Sequence, residues 1–501
     1  MDRNERDRHL GLGDRITEAP APELVQSAFM LEARDGALLY GGMSLADLAQ
    51  AIMLMESGLL TPEAAHRLLE ALLEMHAIAP AEFPFQPELD DVYTHRKHML
   101  SQKVPDVAGW LQAGRPRREA ATIAYLLVVR DKLLALIQAV LAAMAALLDV
   151  AAAHRSTVMP DYTYLQIANP TTLAHYLLTF VQPMTRDLAR LRLAFDHTNR
   201  SPAGAGCTNG SRLPLNRERL AELLGFGGVA LHTRDAMWQP DTPIEVMAAL
   251  VALMTNIDRL AEDLQIWATT EFGFVELSDR HSRISVIMPQ KKNPYSLAFV
   301  RGMAREMIGR LTSTAALQTT PSGQVDNRIF TYSSVPHALT QTTQALLLLA
   351  GTVSGMTVHN EVMARRAEEG FSGAMDLADM IMMQHHLDAR TAHRIVGRAV
   401  RLALEAGTIL GANVLDAAAQ AILGRTLGIS DQRIAQVVDP QTIIDTRSGL
   451  GGASPQAVQE MILTLRHRHT EYERWCTTQQ ATVKTVEARL VEQAAALCQH
   501  I

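Results

Sequence analysis

The chain has 501 residues, of which 48% are hydrophobic and 20% are charged, and its net charge is −7 with both signs mixed throughout. This length allows two or three domains, and the charge excludes a strongly basic surface for nucleic acid or an anionic membrane. The three cysteines (Cys207, Cys476 and Cys498) are far apart in sequence. They indicate neither a disulfide framework nor a metal site.

The first eight residues are mostly charged, and no apolar segment of the kind found in signal peptides follows them. This pattern predicts a cytoplasmic protein. The most apolar stretch, residues 133–148, is shorter than the roughly 20 residues that span a bilayer, and it contains Gln138. We interpret it as part of a helix buried inside a large helical protein.

Helix signals follow one another along the chain after an irregular segment of about 40 residues. The first predicted helix runs from Ser44 to Gly58. The second begins with Thr61 as N-cap and Pro62 at the first helical position, a favourable pair for a helix start. Residues 118–155 contain neither glycine nor proline and therefore predict one very long helix.

The central part of the chain continues as helices, with a loop expected at residues 159–162. The predicted long helices there cover residues 172–197, 242–272, 294–317 and 337–351. Thr242-Pro243-Ile244-Glu245 predicts a capping box at the start of the second of these. No segment alternates with period two for long enough to form a central strand. The sequence therefore predicts an all-α fold with three domains: residues 1–112, 113–360 and 361–501.

The most informative segment is Ser282 to Arg301, S-R-I-S-V-I-M-P-Q-K-K-N-P-Y-S-L-A-F-V-R. Ser285, Lys291 and Asn293 place a hydroxyl, an ammonium and an amide within nine positions, and prolines on both sides of the lysine constrain the backbone. The segment resembles the signature loop of the fumarase/aspartase superfamily, whose members eliminate an amine or hydroxide from a succinyl group and release fumarate. Its run M-P-Q-K-K-N-P is typical of the argininosuccinate lyase branch.

Two further segments resemble motifs of the same family. Residues 111–119, L-Q-A-G-R-P-R-R-E, are similar to its G-R-S-R-N-D segment, and residues 159–172 are similar to its Y-T-H-L-Q segment. In the superfamily the three segments meet in one active site and come from three different subunits. The resemblance covers roughly residues 44–460 and implies a three-domain helical protomer with a twenty-helix core in a homotetramer.

The resemblance also implies roles for individual residues. Ser285 stands where the family has its catalytic base, and its hydroxyl needs activation because a free serine is a very poor base. Lys291 would stabilise the charge that develops on the substrate and, with Asn293, bind its carboxylates. Other positions match substrate-binding residues of the family: Arg115, Arg117, Arg118, Thr163 and Gln166. The arginines either hold carboxylates directly or buttress the loop. No metal and no cofactor is expected.

The sequence departs from the family on the leaving-group side. The family's active-site histidine is Tyr164 here, and the glutamate that pairs with that histidine is Ala298. The loss of both indicates a changed acid–base system, in which Tyr164 donates either a proton or only a hydrogen bond. The family's asparagine after the arginine is Arg118, and residues 320–330 lack the run with which argininosuccinate lyases recognise the guanidino end.

These observations predict reversible, cofactor-free cleavage of an N-substituted aspartate to fumarate and an amine. Because Arg118 adds a positive charge, the sequence favours an aminopolycarboxylic acid, as in the related ethylenediaminedisuccinate lyases, or another N-succinyl amine. Two alternatives stay open at this point: an argininosuccinate lyase of arginine biosynthesis, and a catalytically inactive, crystallin-like homologue.

Overall fold

The computed structural model of the chain describes residues 15–324 and 326–499. Helices make up 69% of the structure and strands 5%, which confirms the predicted all-α fold. The charged residues 1–8 and Val325, which belongs to the segment 320–330 discussed above, lie outside the described residues.

The N-terminal part consists of helices that lead up to the longest central helix. They are α1 (Pro22–Leu24), α2 (Met30–Arg34), α3 (Gly36–Glu56), α4 (Pro62–His76) and α5 (Val92–Lys103), with a π-helical turn at Val25–Phe29 and 3-10 turns at Pro87–Leu89 and Ala108–Gln112. The predicted N-cap of α4 is confirmed, because the Thr61 side chain accepts a hydrogen bond of 3.3 Å from the Ala64 N–H.

The central part contains the long helices and the strands of the described chain. In order they are α6 (Arg117–Ala153), β1 (Val158–Thr163), β2 (Gln166–Thr172), α7 (Leu173–Thr198), α8 (Arg217–Leu223), α9 (Thr233–Trp238), α10 (Asp241–Trp267), β3 (Val275–Glu276), β4 (Arg283–Ile284), β5 (Lys292–Asn293), α11 (Tyr295–Leu317), α12 (Asp326–Ser354) and β6 (Thr357–Val358). The strands form antiparallel pairs: β1 with β2, β3 with β6, and β4 with β5.

The C-terminal part has a small core of its own, followed by a very long last helix. Its helices are α13 (Asn360–Ala367), α14 (Ala374–His385), α15 (Ala389–Ala406), α16 (Ala412–Leu423), α17 (Asp431–Val437), α18 (Pro440–Thr446) and α19 (Pro455–Leu497). Apolar residues of α14 to α17 form the small core. Helix α19 returns to the main core, where Val458, Cys476 and Leu490 are buried. The predicted domain boundaries stay a prediction.

The directions of the long helices follow from polar contacts near their ends. The Tyr176 hydroxyl near the start of α7 donates to Asp263 near the end of α10, and His197 near the end of α7 contacts Glu245 near the start of α10 at 2.7 Å. Helices α7 and α10 are therefore antiparallel. Helix α6 has 37 residues and is about 55 Å long, since an α-helix rises 1.5 Å per residue. The β1–β2 hairpin connects its far end to α7.

Four local predictions are wrong. The irregular segment predicted up to about residue 40 contains α1 and α2, and the helix predicted from Ser44 begins at Gly36. The capping box at Thr242 does not form, because α10 begins at Asp241 and the Thr242 hydroxyl accepts from the Gln239 side chain at 3.1 Å. The helix predicted from residue 337 begins earlier, since Pro336 lies inside α12 and does not start a helix. The loop expected at residues 159–162 is part of β1.

Two helices, α3 and α6, are long and apolar enough to cross a membrane, judged by length and composition. In their most apolar windows, however, 72% and 67% of the residues are buried inside the chain. We therefore interpret both as core helices, as the sequence predicts for residues 133–148.

Helix α3 approaches α6 so closely that one of two neighbouring glycines has no room for a side chain. A Cβ atom at Gly42 would lie 2.8 Å from the Ala124 Cα, whereas one at Gly41 would meet nothing within 4 Å. We expect Gly42→Ala to lower the free energy of unfolding by about 1–3 kcal/mol. The control Gly41→Ala should leave it unchanged or raise it by about 0.5–1 kcal/mol, because alanine is the better helix former. Urea denaturation followed by circular dichroism measures both, and equal effects would contradict the close packing.

Candidate active site

The predicted signature loop is a short β-hairpin that places its polar residues on one face. Arg283 pairs with Asn293 and Ile284 with Lys292, and the Ser285 N–H donates to the Lys291 carbonyl at 3.2 Å. Directly opposite residues of an antiparallel pair point to the same face, and successive residues alternate between faces. Ser285, Lys291 and Asn293 therefore share one face of the β4–β5 hairpin.

The same alternation separates the two neighbouring lysines. Lys292 points to the opposite face, where its ammonium lies 2.8 Å from Glu276 Oε1 and 2.8 Å from Asp279 Oδ1. Its hydrogen bonds to Asp279 and Glu276 raise the pKa of Lys292. Lys291 is exposed and has no ion pair within residues 15–324 and 326–499. The free ammonium of this pair is thus the one on the side of Ser285.

The loop backbone also supplies a donor to the serine hydroxyl. The Met288 N–H donates to Ser285 Oγ at 3.2 Å, and the Lys291 N–H closes the turn on the Met288 carbonyl at 3.0 Å. Asn293 Nδ2 donates to the Arg283 carbonyl at 3.0 Å, so part of this amide holds the hairpin together. A donor aimed at Ser285 Oγ stabilises negative charge on that oxygen.

Apolar side chains at the tip of the β4–β5 hairpin are exposed in the single chain. The exposed fractions are 68% for Ile284, 97% for Val286 and 84% for Ile287. Contiguous exposed apolar side chains of this kind mark an interaction surface.

Tyr164 lies at the tip of the second hairpin and is completely exposed in the single chain. Thr163 pairs with Gln166, so the β1–β2 turn consists of Tyr164 and Leu165, with φ angles of 55° and 56°. Two bulky residues in the left-handed region are unusual, because such turns favour Asn-Gly, and this kind of strain is common at functional sites. Thr163 and Gln166 flank the turn and are also exposed.

Arg115 lies in the protein interior, where it holds Asp47. Its Nη2 is 2.6 Å from Asp47 Oδ1, while Arg96 Nη2 is 2.8 Å from Asp47 Oδ2. The side chains of Arg115 and Asp47 are 1% and 4% exposed. In this chain Arg115 anchors the segment that carries Arg117 and is not open to a ligand.

Arg117 and Arg118 are paired with carboxylates of the N-terminal part. Arg117 forms ion pairs with Asp90 and, at 3.6 Å, with Asp91. Arg118 Nη1 lies 3.8 Å from Glu32 Oε2. Asp90 adopts a φ of 70°, which a residue other than glycine rarely adopts. Arg118 thus has a carboxyl group of its own chain beside it.

The carboxylates that balance these arginines were missed by the sequence analysis. One of them had a recognisable signal, because Asp47 is the only charged residue in the apolar run from Leu39 to Met55. A lone charge on a buried helix requires a partner of opposite charge. Glu32 and Asp90 give no such signal, since they lie outside apolar runs.

The three predicted site segments lie at two opposite ends of the bundle. Arg117 begins α6, whereas Tyr164 lies on the hairpin beyond the far end of this helix, about 55 Å away along its axis. The signature loop follows α10, which ends beside the start of α7, so it lies at the same end as Tyr164. Its polar contacts stay within residues 276–293. One chain therefore cannot bring the arginine segment and the signature loop into one site.

A metal site is not formed by the described part of the chain. Within residues 15–324 and 326–499, no group of three or more His, Cys, Asp or Glu side chains is arranged to hold a metal ion.

Two family models match the chain. Residues 25–309 match the model described as lyase, and residues 371–445 match the model of the argininosuccinate lyase C-terminal region. The argininosuccinate lyase of Methanoculleus marisnigri is 35% identical over 454 residues, which cover 90% of this chain and 92% of that protein. The argininosuccinate lyase of Methanosarcina acetivorans is 32% identical over 89% of this chain and 91% of its own length.

Solved structures show the same architecture. EDDS lyase in complex with formate and an EDDS lyase variant with bound fumarate each match with a TM-score of 0.86 and 28% identity, covering 96% of this chain and 97% of theirs. A fumarate lyase from Mesorhizobium sp. BNC1 matches with a TM-score of 0.69. At 18% identity, that likeness concerns the fold alone.

The buried carboxyl group of Glu32 predicts that the stability of the folded protein depends on pH. Burial raises the pKa of Glu32 from 4.5 to about 7, against the opposing effect of Arg118 and with a smaller contribution from Asp91. The folded state therefore binds the Glu32 proton more tightly than the unfolded state does. The contribution of this group to the free energy of unfolding is complete below about pH 4.5 and declines as the pH rises to about 7. Because solvent reaches part of the side chain, we expect a decline of about 1–2 kcal/mol.

Glu32→Gln should lack this decline. Between pH 5 and pH 8 the unfolding free energy of the wild type should therefore fall relative to that of Glu32→Gln. The matched control is Glu23→Gln, an exposed position in the same N-terminal segment. Urea titrations at several pH values measure the difference, and parallel curves for wild type and Glu32→Gln would contradict the shifted pKa.

Proposed function

Because the chain belongs to the lyase family, in the argininosuccinate lyase-like branch of the fumarase/aspartase superfamily, and is a carbon–nitrogen lyase, we propose that it cleaves N-substituted aspartates. The products are fumarate and an amine, and the reaction is reversible. The observation that carries this proposal is the β4–β5 hairpin, where Ser285, Lys291 and Asn293 share one face while Lys292 is paired on the other.

The elimination begins with proton transfer from carbon to Ser285. Its Oγ, as alkoxide, removes a proton from the carbon next to the distal carboxylate, and negative charge develops on that carboxylate. The Met288 N–H, 3.2 Å from Oγ, stabilises the alkoxide, and the unpaired Lys291 ammonium faces the developing dianion. The electron pair then forms the double bond as the C–N bond breaks, the amine nitrogen takes up a proton from solvent water, and Ser285 returns the abstracted proton to solvent before the next cycle.

The leaving-group side depends on Tyr164. With Ala298 in place of the family's glutamate, no histidine–glutamate pair exists there. We assign Tyr164 a hydrogen bond to the departing nitrogen, and Thr163 and Gln166, which flank the same turn, a grip on a substrate carboxylate. Glu32 lies 3.8 Å from Arg118, but burial raises the pKa of Glu32 to about 7, so Arg118 keeps part of its positive charge at neutral pH.

The complete site requires several subunits. The arginine segment lies at the other end of a 37-residue helix from both hairpins, so a second chain has to supply it. The exposed Ile284, Val286 and Ile287 offer the apolar surface that such an assembly covers. We therefore propose a homotetramer with shared sites, in which Arg117 and Arg118 buttress the site from a neighbouring chain.

For this assembly, we expect light scattering to give a mass four times that of the chain at the concentrations used for assay. A monomer that releases fumarate at full rate would contradict the shared site.

Ser285→Ala should lower turnover at least about a thousandfold, which corresponds to roughly 4 kcal/mol of barrier, because no other group in the loop replaces the alkoxide. Folding should be unaffected, since the side chain contributes little to the core. The matched control is Ser282→Ala, whose hydroxyl donates only to the Ser278 carbonyl at 2.9 Å. Fumarate absorbance measures both, and a loss below about tenfold in Ser285→Ala would exclude it as the base.

The two lysines provide a matched pair for the electrostatic role. Lys291→Met should lose about a thousandfold or more in turnover, because it removes the positive charge on the face of Ser285. Lys292→Met removes the same charge one residue away, where it is neutralised by Glu276 and Asp279, and should retain activity within about tenfold. Equal losses in both variants would show that the lysines act only on loop stability.

A further inference from the structure

Two buried guanidinium groups share one carboxylate between helices α3 and α5 and the segment that leads into α6. Asp47 Oδ1 lies 2.6 Å from Arg115 Nη2, and Asp47 Oδ2 lies 2.8 Å from Arg96 Nη2. The exposed fractions of the Asp47, Arg115 and Arg96 side chains are 4%, 1% and 3%. We call these three residues the Asp47 cluster. It carries an excess of one positive charge inside the protein.

Neighbouring side chains do not supply the missing negative charge. Asp90 and Asp91, which precede α5, are both engaged by Arg117. His76 at the end of α4 responds to the excess, because burial and the charge of Arg96 lower its pKa. Within the described residues, no second carboxylate forms an ion pair with either arginine of the Asp47 cluster. A charge without a counter-charge inside a protein costs free energy.

Several nitrogens of the two arginines lack a hydrogen-bond partner. Among the described residues, none accepts from Arg96 Nη1, Arg115 Nε or Arg115 Nη1, and all three atoms are buried. The Arg96 guanidinium lies over the Tyr40 ring, 4.8 Å from the ring centroid, but an aromatic ring supplies no full negative charge. Buried donors are normally satisfied by the protein or by something bound to it. The Asp47 cluster thus lacks both an acceptor and a counter-charge.

A small cavity opens beside Arg96. Its volume is about 10 Å³, which is room for one particle of about the size of a water molecule. Hydrogen-bond donors on its wall come from Arg96, Lys97, Tyr93 and Gln112. The lining residues of this described cavity include one carboxylate, Asp47, and both of its oxygens already accept from guanidinium groups.

Lys97 and Tyr93 strengthen the preference of this cavity for negative charge. Lys97 is partly buried and has no ion pair within residues 15–324 and 326–499. Burial raises the pKa of Tyr93, against the opposing effect of Arg115, so the hydroxyl stays protonated and can donate. Leu72 and Leu100 add apolar wall, and charges attract one another more strongly in such surroundings than in water.

We propose that this cavity binds a small monovalent anion, a halide such as chloride, between Arg96 Nη1 and the Lys97 ammonium. The single negative charge of the ion offsets the excess charge of the Asp47 cluster, and the Tyr93 hydroxyl and the Gln112 amide donate to the same ion. Carboxylate and phosphate ions are too large for a cavity of about 10 Å³. Water fits but carries no charge.

The anion acts on the structure and not on the chemistry. Arg115 precedes the segment of Arg117 and Arg118, so an ion that balances the Asp47 cluster stabilises the buried support of that segment. The proposal is independent of the lyase reaction, and its tests need no turnover.

Bromide tests the position directly, because its anomalous X-ray scattering distinguishes it from water. In crystals of the protein soaked in sodium bromide, we expect an anomalous peak between Arg96 and Lys97. Water in the cavity without an anomalous peak would overturn the proposal.

Thermal unfolding tests the same site in solution. Sodium chloride is compared with sodium gluconate at equal ionic strength, since gluconate is too large for the cavity. We expect chloride to raise the unfolding midpoint of the wild type by about 2 °C or more relative to gluconate, and Lys97→Met to reduce this difference to about half or less. The control Lys103→Met removes a lysine of the same helix that pairs with Glu74, and it should keep the full difference. Equal chloride effects in wild type and Lys97→Met would contradict the site.

Arg96→Met tests the origin of the anion site. This variant removes the excess charge and leaves Asp47 and Arg115 as a balanced pair, so we expect the chloride effect on its unfolding midpoint to fall at least as far as in Lys97→Met. A folded Arg96→Met that keeps the full chloride effect would overturn the proposal. Should this variant fail to fold, Lys97→Met and the bromide crystals still decide between anion and water.

Discussion

Helix α6 sets the distance between the two ends of the molecule. Its 37 residues contain neither glycine nor proline, so the helix acts as a rigid strut of about 55 Å. The arginine segment begins this strut, and the hairpin with Tyr164 follows its other end. Because a rigid helix cannot fold back, the distance between these groups is fixed within a chain, and the site proposed above needs a second chain.

A second organising principle is the alternation of side chains in the two hairpins. In β4–β5 the alternation leaves Lys291 free beside Ser285 and ties Lys292 to Glu276 and Asp279. The two lysines have identical side chains, and their positions in the hairpin alone decide that Lys292 is paired and Lys291 is not. In β1–β2 the pairing of Thr163 with Gln166 presents Tyr164 at a strained tip. Short strands therefore position the groups proposed to react in a protein that is otherwise helical.

Local signals predicted those parts of the fold that local energetics determine. The Thr61 cap and the uninterrupted α6 were predictable because each depends on residues within a few positions. The start of α12 was not, because packing tolerates Pro336 inside the helix. The roles proposed for Ser285 and Lys291 came from a motif, and they stay predictions. The lone charge of Asp47 in an apolar run indicates that it needs a partner, but Arg115 is far away in sequence, so no local pattern identifies it as that partner.

The return of helix α19 to the main core has a consequence for biosynthesis. Arg466 contacts Asp149 at 2.8 Å and Glu487 contacts the buried Arg130 at 3.4 Å, so this last helix lines much of α6. A ribosome adds roughly 5–20 residues per second, so α6 emerges tens of seconds before the helix that covers it. During this interval the nascent chain exposes one of its most apolar faces. A premature stop codon before α19 would leave this face of α6 without its partner helix.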